Sequence, residues 1–213
     1  MIKKMEKYTV PLGMIGIIVY LTHTLLGKLL WNEYNPITTD ISSLTAVGAP
    51  NRELLSILTY IYGILMILFI VGLLIKSFRK YHWGLKIGYI IMIIMQIVSF
   101  VGYSLFPLSG DETVIKSQDI IHIIITVVVV LTTVMSGYFL AFGYLKQEKK
   151  RWLGKFILIM AIIITIVGMA NPICMIMEFN ILGLTERIVV YSLQLMLFVI
   201  SAYYTFSKQE KIY

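Results

Sequence analysis

The segment from Asn32 to Glu53 reads NEYNPITTDISSLTAVGAPNRE and separates two apolar runs that are each long enough to cross a bilayer. As a connection of about 21 residues, it is long for a compact helical bundle, in which a few residues are usual. Two prolines, Pro36 and Pro50, bracket it. The organisation of the chain therefore depends on whether this polar segment folds and where it packs between the two apolar runs.

The segment has an apolar stripe of its own. The residues of the stripe recur at three- and four-residue steps, namely Ile37, Ile41, Leu44 and Val47. This spacing predicts a short amphipathic helix over residues 39–46, capped by Thr39 or Asp40. A loop with an apolar face is expected to lie on the mouth of a membrane bundle or in the headgroup layer.

Composition places the chain among integral membrane proteins. Of its 213 residues, 59% are hydrophobic and 14% are charged, and the mean hydropathy is +0.87. Soluble domains average about 25% charged residues. The net charge of +7 would suggest a nucleic-acid partner in a soluble protein, but here we expect none, because the basic residues follow the pattern of a membrane protein. The single cysteine, Cys174, excludes an internal disulfide.

Six apolar runs reach the length of about 20 residues that a spanning helix needs. They cover residues 8–31, 53–75, 85–106, 119–145, 153–177 and 187–207. The prediction is an all-α fold: one domain over residues 1–213, built as a six-helix transmembrane bundle.

The basic residues predict the orientation of this bundle. Fourteen of the 18 Lys and Arg side chains fall in the leader, in the second and fourth connections and in the tail. Since cytoplasmic segments carry the excess of Lys and Arg, both termini are expected in the cytoplasm of a cell-membrane protein. Most of the acidic residues fall on the opposite, outer side, which places the polar chemistry there.

Each helix also carries a polar stripe at helical spacing. The stripes that matter below are Arg52, Ser56, Thr59 and Gly63 on the second helix, Gln96, Ser99 and Tyr103 on the third, and Arg187, Tyr191, Gln194 and Ser201 on the sixth. Such stripes serve as interhelical hydrogen bonds in any polytopic bundle, so a structural role competes with a functional one.

Ionisable groups inside a membrane are costly and therefore mark candidate sites. His23 and His122 are predicted at similar depth in the outer half of the bundle. Asp119 precedes His122 by three residues, a spacing that allows a hydrogen bond to the imidazole and fixes its tautomer. The pair is suited to neutral-pH proton transfer.

Further candidates flank these histidines. Ser42 or Ser43 on the first loop would be a nucleophile activated by His122, and Asp40 and His23 would contact the ligand. Glu186 and Arg187 open the sixth run, where Arg187 can clamp an anionic group. Two histidines with nearby acids can also bind zinc, but no ligand spacing indicates a metal site, and the cofactor stays unknown.

The motifs are also familiar as a set. HTLLG lies in the first helix, ISSLTAVGAPNR in the first loop, GYSLFP at the end of the third helix and GLTERI at the start of the sixth. Together with the histidine at the start of the fourth helix, they resemble the six-helix prokaryotic membrane family known as domain of unknown function 998. The resemblance implies six helices over nearly the whole chain and implies no particular activity.

Two functions follow as expectations. One is a membrane-embedded hydrolase for a lipid-like or amphipathic substrate from the outer leaflet, with His122, Asp119 and a serine in the roles given above. The other is a protein that binds or transports a small molecule in the same pocket, and a purely structural membrane protein is the remaining alternative. In either functional case the ionisable candidates are expected to converge on one outward-facing pocket, whose walls include Tyr20, Tyr103 and Tyr191. Membrane lipids are the expected partners of the protein.

Overall fold

The computed structural model describes residues 8–110 and 114–207. These residues form six long helices: α1 (Leu12–Leu30), α2 (Arg52–Lys80), α3 (Trp83–Leu105), α4 (Ser117–Leu145), α5 (Arg151–Ile176) and α6 (Leu182–Phe206). Short 3₁₀ turns lie at Ser42–Thr45 and Glu148–Lys150, and the described residues contain no strand. All six helices are long and apolar enough to cross a membrane. The predicted all-α, multi-pass architecture is confirmed.

Each helix packs against its neighbours in sequence, and α1 packs against α6 to close the ring. Consecutive helices run in opposite directions, so the bundle has two distinct ends. We name the end formed by residues 31–51, 106–110, 114–116 and 177–181 the site end. The opposite end, with the connections 81–82 and 146–150, is the filled end.

The main apolar core lies toward the filled end. Its side chains are fully buried, among them Met66, Leu85, Tyr89, Leu140, Tyr144 and Ile200. Close approach of α3 and α4 requires glycine at position 143, because a Cβ there would lie 2.7 Å from the backbone nitrogen of Leu85. Small residues of this kind let helices pack by direct contact where no water drives association.

The first loop (residues 31–51) is ordered and packed onto the site end. Tyr34, Ile41 and Leu44 are buried against Leu55 of α2. Ile37 and Val47, the other members of the predicted stripe, are about half exposed, at 51% and 46%. Only the two middle residues of the stripe, Ile41 and Leu44, are therefore buried.

The predicted helix over 39–46 is shorter than expected, since only the 3₁₀ turn at Ser42–Thr45 forms. The backbone groups that a longer helix would use are bonded elsewhere. The amide of Ile41 donates to Glu186, the carbonyl of Thr39 accepts from Arg187, and the carbonyl of Asp40 accepts from the Tyr34 hydroxyl. The amides of Ser43 and Leu44, which a helix over 39–46 would pair with the carbonyls of Thr39 and Asp40, donate instead to the Asp40 side chain and the Ile41 carbonyl. The Asp40 side chain accepts from the Ser43 amide at 2.8 Å, as its predicted capping role requires.

The predicted spans correspond to α1 to α6, with two larger differences at their ends. α2 continues to Lys80 instead of residue 75, and α6 begins at Leu182 instead of residue 187. The earlier start of α6 places Glu186 and Arg187 inside the helix, where their side chains meet the first loop.

Candidate functional site

A cavity of about 200 Å³ lies inside the site end, under the first loop. Five of the six helices line it, since α5 contributes no residue, and the first loop adds Ile41, Ser42 and Thr45. An engineered cavity of about 150 Å³ in another protein holds benzene, so this space suits a small organic molecule. Apolar walls come from residues such as Met95, Phe100, Val190 and Leu193.

Six of the eleven predicted site residues line this cavity. They are Tyr20, His23, Ser42, Tyr103, His122 and Glu186. Residues from α1, α3, α4, α6 and the first loop thus meet although they are far apart in the chain, and the two predicted histidines share one cavity.

The mouth of the cavity, next to the first loop, carries two ionisable groups, Glu186 and Arg52. Glu186 accepts the Ile41 amide through Oε2 and makes no other hydrogen bond within residues 8–110 and 114–207. Arg52 opens α2 and donates from Nε to the carbonyl of Thr45 at 3.2 Å. One carboxylate oxygen and the remaining guanidinium donors are therefore available to a guest.

His122 is held in a defined tautomer. Its Nδ1 lies 2.8 Å from the carbonyl oxygen of Phe106, and its ring lies 4.8 Å from that of Tyr103. A carbonyl oxygen only accepts, so Nδ1 carries the proton and Nε2 is the acceptor. That form of imidazole can take a proton or accept a hydrogen bond from a guest.

The predicted pairing of Asp119 with His122 is not formed. Asp119 accepts from the amide and hydroxyl of Ser109, both at 2.7 Å, and from the amide of Lys116 at 2.9 Å. These groups lie just before α4 and in the preceding loop, where a carboxylate near a helix N-terminus is a favourable acceptor. Asp119 is thus the N3 carboxylate of the capping box of α4. The role of orienting His122, which was predicted for Asp119, belongs to the Phe106 carbonyl.

Asp40 and Ser43 lie outside the cavity as well. Asp40 accepts from both the amide and the hydroxyl of Ser43, and the pair lines a separate depression on the outer surface of the first loop, together with Asp119. Ser42, the neighbour on the opposite side of the 3₁₀ turn, faces inward. Of the two serines predicted as alternative nucleophiles, Ser42 lines the cavity and Ser43 does not.

Arg187, predicted as an anion clamp, holds the first loop instead. Its Nη1 donates to the carbonyls of Pro36 at 2.7 Å, Thr39 at 3.0 Å and Gly183 at 2.9 Å, while Nη2 donates to the Tyr34 hydroxyl. Burial, opposed by the Arg187 guanidinium, raises the pKa of Tyr34 to about 12, so this hydroxyl stays protonated and donates to Asp40. Four hydrogen bonds thus hold the Arg187 guanidinium against the first loop and Gly183, and the residue does not line the cavity.

Tyr191 also differs from its predicted role. Its hydroxyl donates to Thr24 of α1 at 3.1 Å, and the residue does not line the cavity. The aromatic wall is formed by Tyr20, Tyr62 and Tyr103, with the rings of Tyr20 and Tyr62 4.8 Å apart. Tyr62 was not predicted as a site residue, since its position on α2 lies off the polar stripe.

The deep end of the cavity holds polar atoms without partners. Four buried side-chain nitrogen or oxygen atoms of the described residues lack a hydrogen bond, and three of them belong to His23 and Gln194. His23 is 1% exposed and Gln194 is 3% exposed, and both line the cavity. Gln194 was predicted only as a member of the polar stripe of the sixth helix, where interhelical hydrogen bonding is the competing role. Its spacing of eight residues from Glu186, about two turns along α6, is the signal in the sequence that could have placed it with the site residues.

A metal site finds no support in this arrangement. In the part of the chain that the structure describes, no three His, Cys, Asp or Glu side chains come close enough to hold a metal ion. The cavity is therefore characterised by hydrogen-bonding groups on an apolar wall.

Comparison with known proteins identifies the family. The family model described as "Protein of unknown function (DUF998)" matches residues 14–203, and the chain belongs to this family. Neither a search of curated proteins nor a search of solved structures found a match.

Proposed function

We propose that this membrane protein of the DUF998 family binds an amphipathic small molecule in the cavity at its site end. The observation that carries the proposal is the cavity itself: about 200 Å³, apolar walls, and a few convergent polar groups under an ordered loop. That combination is typical of small-molecule sites.

Exposure of the lining supports access from the lipid phase. Tyr60 of α2 is 42% exposed, and Ser104 of α3 is exposed too, yet both line the cavity. In a multi-pass protein the flanks of α2 and α3 face lipid, so a guest can pass between these helices without crossing the first loop. With the orientation expected from the basic residues, that guest comes from the outer leaflet.

The mouth is suited to a polar head group. Arg52 offers guanidinium donors, Glu186 offers a carboxylate oxygen, and Nε2 of His122 accepts a hydrogen bond. In low dielectric such contacts are stronger than in water, so they fix the orientation of a guest whose remaining surface meets the apolar walls.

The packing favours binding over transport. Below the level of Gln194, the interior is closed by core side chains that are 0–2% exposed, including Met66, Tyr89, Leu140 and Ile200. A transporter needs a path that continues to the other side of the membrane. The polar lining ends where this core begins.

Photolabelling tests the proposal. The protein in lipid nanodiscs is irradiated with a six-carbon alcohol that carries a diazirine at mid-chain, and the labelled residues are mapped by mass spectrometry. We expect labels on cavity-lining residues such as Tyr62. Ser99→Phe, which places a ring in the cavity, should reduce this labelling at least about tenfold, since it removes most of the space.

The matched control is Val101→Phe on the lipid-facing side of the same helix, where the native side chain is 45% exposed. It should label like the wild type. Equal labelling of the Ser99→Phe and Val101→Phe variants would refute the proposal, because the probe would then have bound only at the lipid-facing surface.

A hydrolase is the second candidate, and the tautomer of His122 favours it. Ser42 lines the same cavity, and Nε2 of His122 is the acceptor that a serine nucleophile needs. In the reaction the Ser42 oxygen attacks an ester carbonyl while His122 takes the hydroxyl proton, and His122 gives that proton to the alcohol as its bond to the carbonyl carbon breaks. Water, deprotonated by His122, then attacks the acyl-serine and releases the acid, and the proton returns to the Ser42 oxygen. A fluorophosphonate probe tests this: stoichiometric labelling of Ser42, lost in Ser42→Ala and His122→Asn but kept in Ser43→Ala, supports a hydrolase. If Ser42 is not labelled, the hydrolase is rejected and binding stands as the proposed function.

A further inference from the structure

The cavity has a deep level as well as a mouth. Gln194 lies eight residues beyond Glu186 on α6, which is about 12 Å along the helix axis. His23 lies seven residues before the end of α1, and Gln96 lies nine before the end of α3, at about 10–14 Å from the same end. Three polar side chains from three helices thus line the cavity about two turns or more below the mouth.

The amide of Gln194 is half satisfied in either orientation. Its Nε2 donates to the Tyr62 hydroxyl at 2.7 Å, which leaves Oε1 buried and without a donor. If the amide is turned over, Oε1 can accept from Tyr62, and the NH₂ group becomes the one without a partner. One hydrogen-bonding position next to the cavity is open in both cases.

His23 adds two more open positions. A neutral imidazole has one donor and one acceptor, and neither ring nitrogen has a partner although the residue is 1% exposed. The neighbouring Tyr20 ring, 5.8 Å away between centroids, gives an aromatic contact and no hydrogen bond to the imidazole. Buried polar groups in native proteins are nearly always paired, so His23 and Gln194 indicate an occupant that pairs with them.

The chemistry of the open positions selects that occupant. The set contains both donors and acceptors, and a hydroxyl group donates and accepts at once. A hydrocarbon tail would leave all of these positions unpaired, whereas a hydroxyl satisfies at least two. The mouth, with Arg52 and Glu186, already provides for a second polar group.

Building on the proposed function, we propose that the ligand is polar at both ends: a hydroxyl at the deep level pairs with Gln194 and His23, and a second polar group lies at the mouth. The apolar walls between the two levels enclose a short carbon chain. A single-headed lipid with its tail pointing inward is the ligand class that this arrangement disfavours.

Competition against the six-carbon diazirine alcohol tests the inference. The competitors are 1,6-hexanediol and 1-hexanol, and the measured quantity is the ratio of their inhibitory concentrations. Because partition into the nanodisc is the same for every variant, a change in this ratio reports the deep contact. The wild type should favour the diol, and Gln194→Met should reduce the preference for the diol at least about tenfold, as expected for one lost buried hydrogen bond.

The control is Leu195→Met, a lipid-facing position that is 49% exposed on the same helix, which should keep the wild-type ratio. His23→Leu is the second variant and should lower the preference in the same direction, so the test stands if one variant does not fold. An unchanged ratio in folded Gln194→Met and His23→Leu proteins, with both alcohols still competing, would overturn the two-ended ligand and leave the proposed function intact. If neither alcohol displaces the probe and Ser99→Phe does not reduce labelling, the proposed function fails and this inference with it.

Discussion

At the filled end, Leu85 of α3 packs directly against the backbone at Gly143 of α4, whereas at the site end the same two helices present Gln96 and His122 to a cavity. The difference does not arise from the path of the helices, which are continuous through both ends. It arises from side chains: large apolar residues and glycine interlock at one end, and small polar residues leave space at the other.

The polar groups at the two ends also differ in their pairing. At the filled end the Tyr144 hydroxyl forms hydrogen bonds with the hydroxyls of Tyr89 and Tyr204. Lys150 donates to the hydroxyls of Tyr204 and Tyr81. At the cavity, His23 and Gln194 keep atoms without partners. The amide nitrogen of Gln147, near the filled end, is the only other such atom in the described residues. Polar groups that satisfy each other hold a bundle together, and those that do not are the better candidates for binding.

The largest expected effect concerns the side of the membrane on which each end lies. In a Cys174→Ser background, Glu33→Cys at the site end should react fully with an impermeant maleimide in intact cells. Lys149→Cys at the filled end should react only after permeabilisation, because the excess of Lys and Arg predicts a cytoplasmic location. Both native side chains are exposed, so access within the protein is matched. The reverse pattern would invert the orientation and place the cavity at the cytoplasmic face.

A large effect on stability is expected from truncation at the filled end. Leu140→Ala should lower the free energy of unfolding by about 2–5 kcal/mol, since Leu140 is fully buried and its removal leaves a cavity. Ile124→Ala, a lipid-facing change on the same helix with 57% exposure, should cost far less. Denaturation in mixed detergent micelles measures both. Equal losses of unfolding free energy in the two variants would mean that the buried side chains of the filled end contribute no more to stability than lipid-facing ones.

Much of this contrast can be predicted from the sequence. The polar stripes on α2, α3 and α6 are visible as three- and four-residue spacing, and the cavity is lined by residues of those stripes such as Arg52, Ser99 and Gln194. Depth was also predictable, because the position of a residue along a spanning helix follows from its distance to the helix end. Hence His23 and His122 were expected near each other, and both line the cavity.

Side-chain partners within the loops could not be predicted in the same way. Asp119 lies one turn before His122, and its pairing with Ser109 and Lys116 depends on where Ser109 lies relative to the start of α4. The direction of the Arg187 side chain likewise depends on where the carbonyls of Pro36 and Thr39 lie. These are contacts between distant segments, and periodicity within one segment carries no information about them.

A local effect is expected when the first loop is released. Arg187→Met removes the donors to Pro36, Thr39 and Tyr34 and leaves carbonyls in a poorly hydrated place. The free energy of opening the loop should fall by about 2–3 kcal/mol, which is roughly 30- to 150-fold faster amide exchange in residues 34–46. Exchange in α3 should not change. Arg187→Lys keeps the charge without the forked donors, so its exchange rate in residues 34–46 should lie between those of the wild type and Arg187→Met. A wild-type exchange rate in Arg187→Met would show that the loop is held by its apolar contacts alone.

The smallest expected effect decides whether Asp119 belongs to the cavity or to the outer surface. Asp119→Ala removes the acceptor for Ser109 and Lys116 and should lower the unfolding free energy modestly, since the capping box of α4 is lost. Asp119→Asn keeps one acceptor oxygen and should cost about half as much. Because His122 is oriented by the carbonyl of Phe106, labelling by the diazirine alcohol should stay within about twofold of wild type in both variants, measured below their unfolding temperatures. If Asp119→Ala instead abolished labelling while leaving the unfolding free energy unchanged, Asp119 would act on the cavity through His122, and the outer surface of the first loop would have to be counted as part of the site.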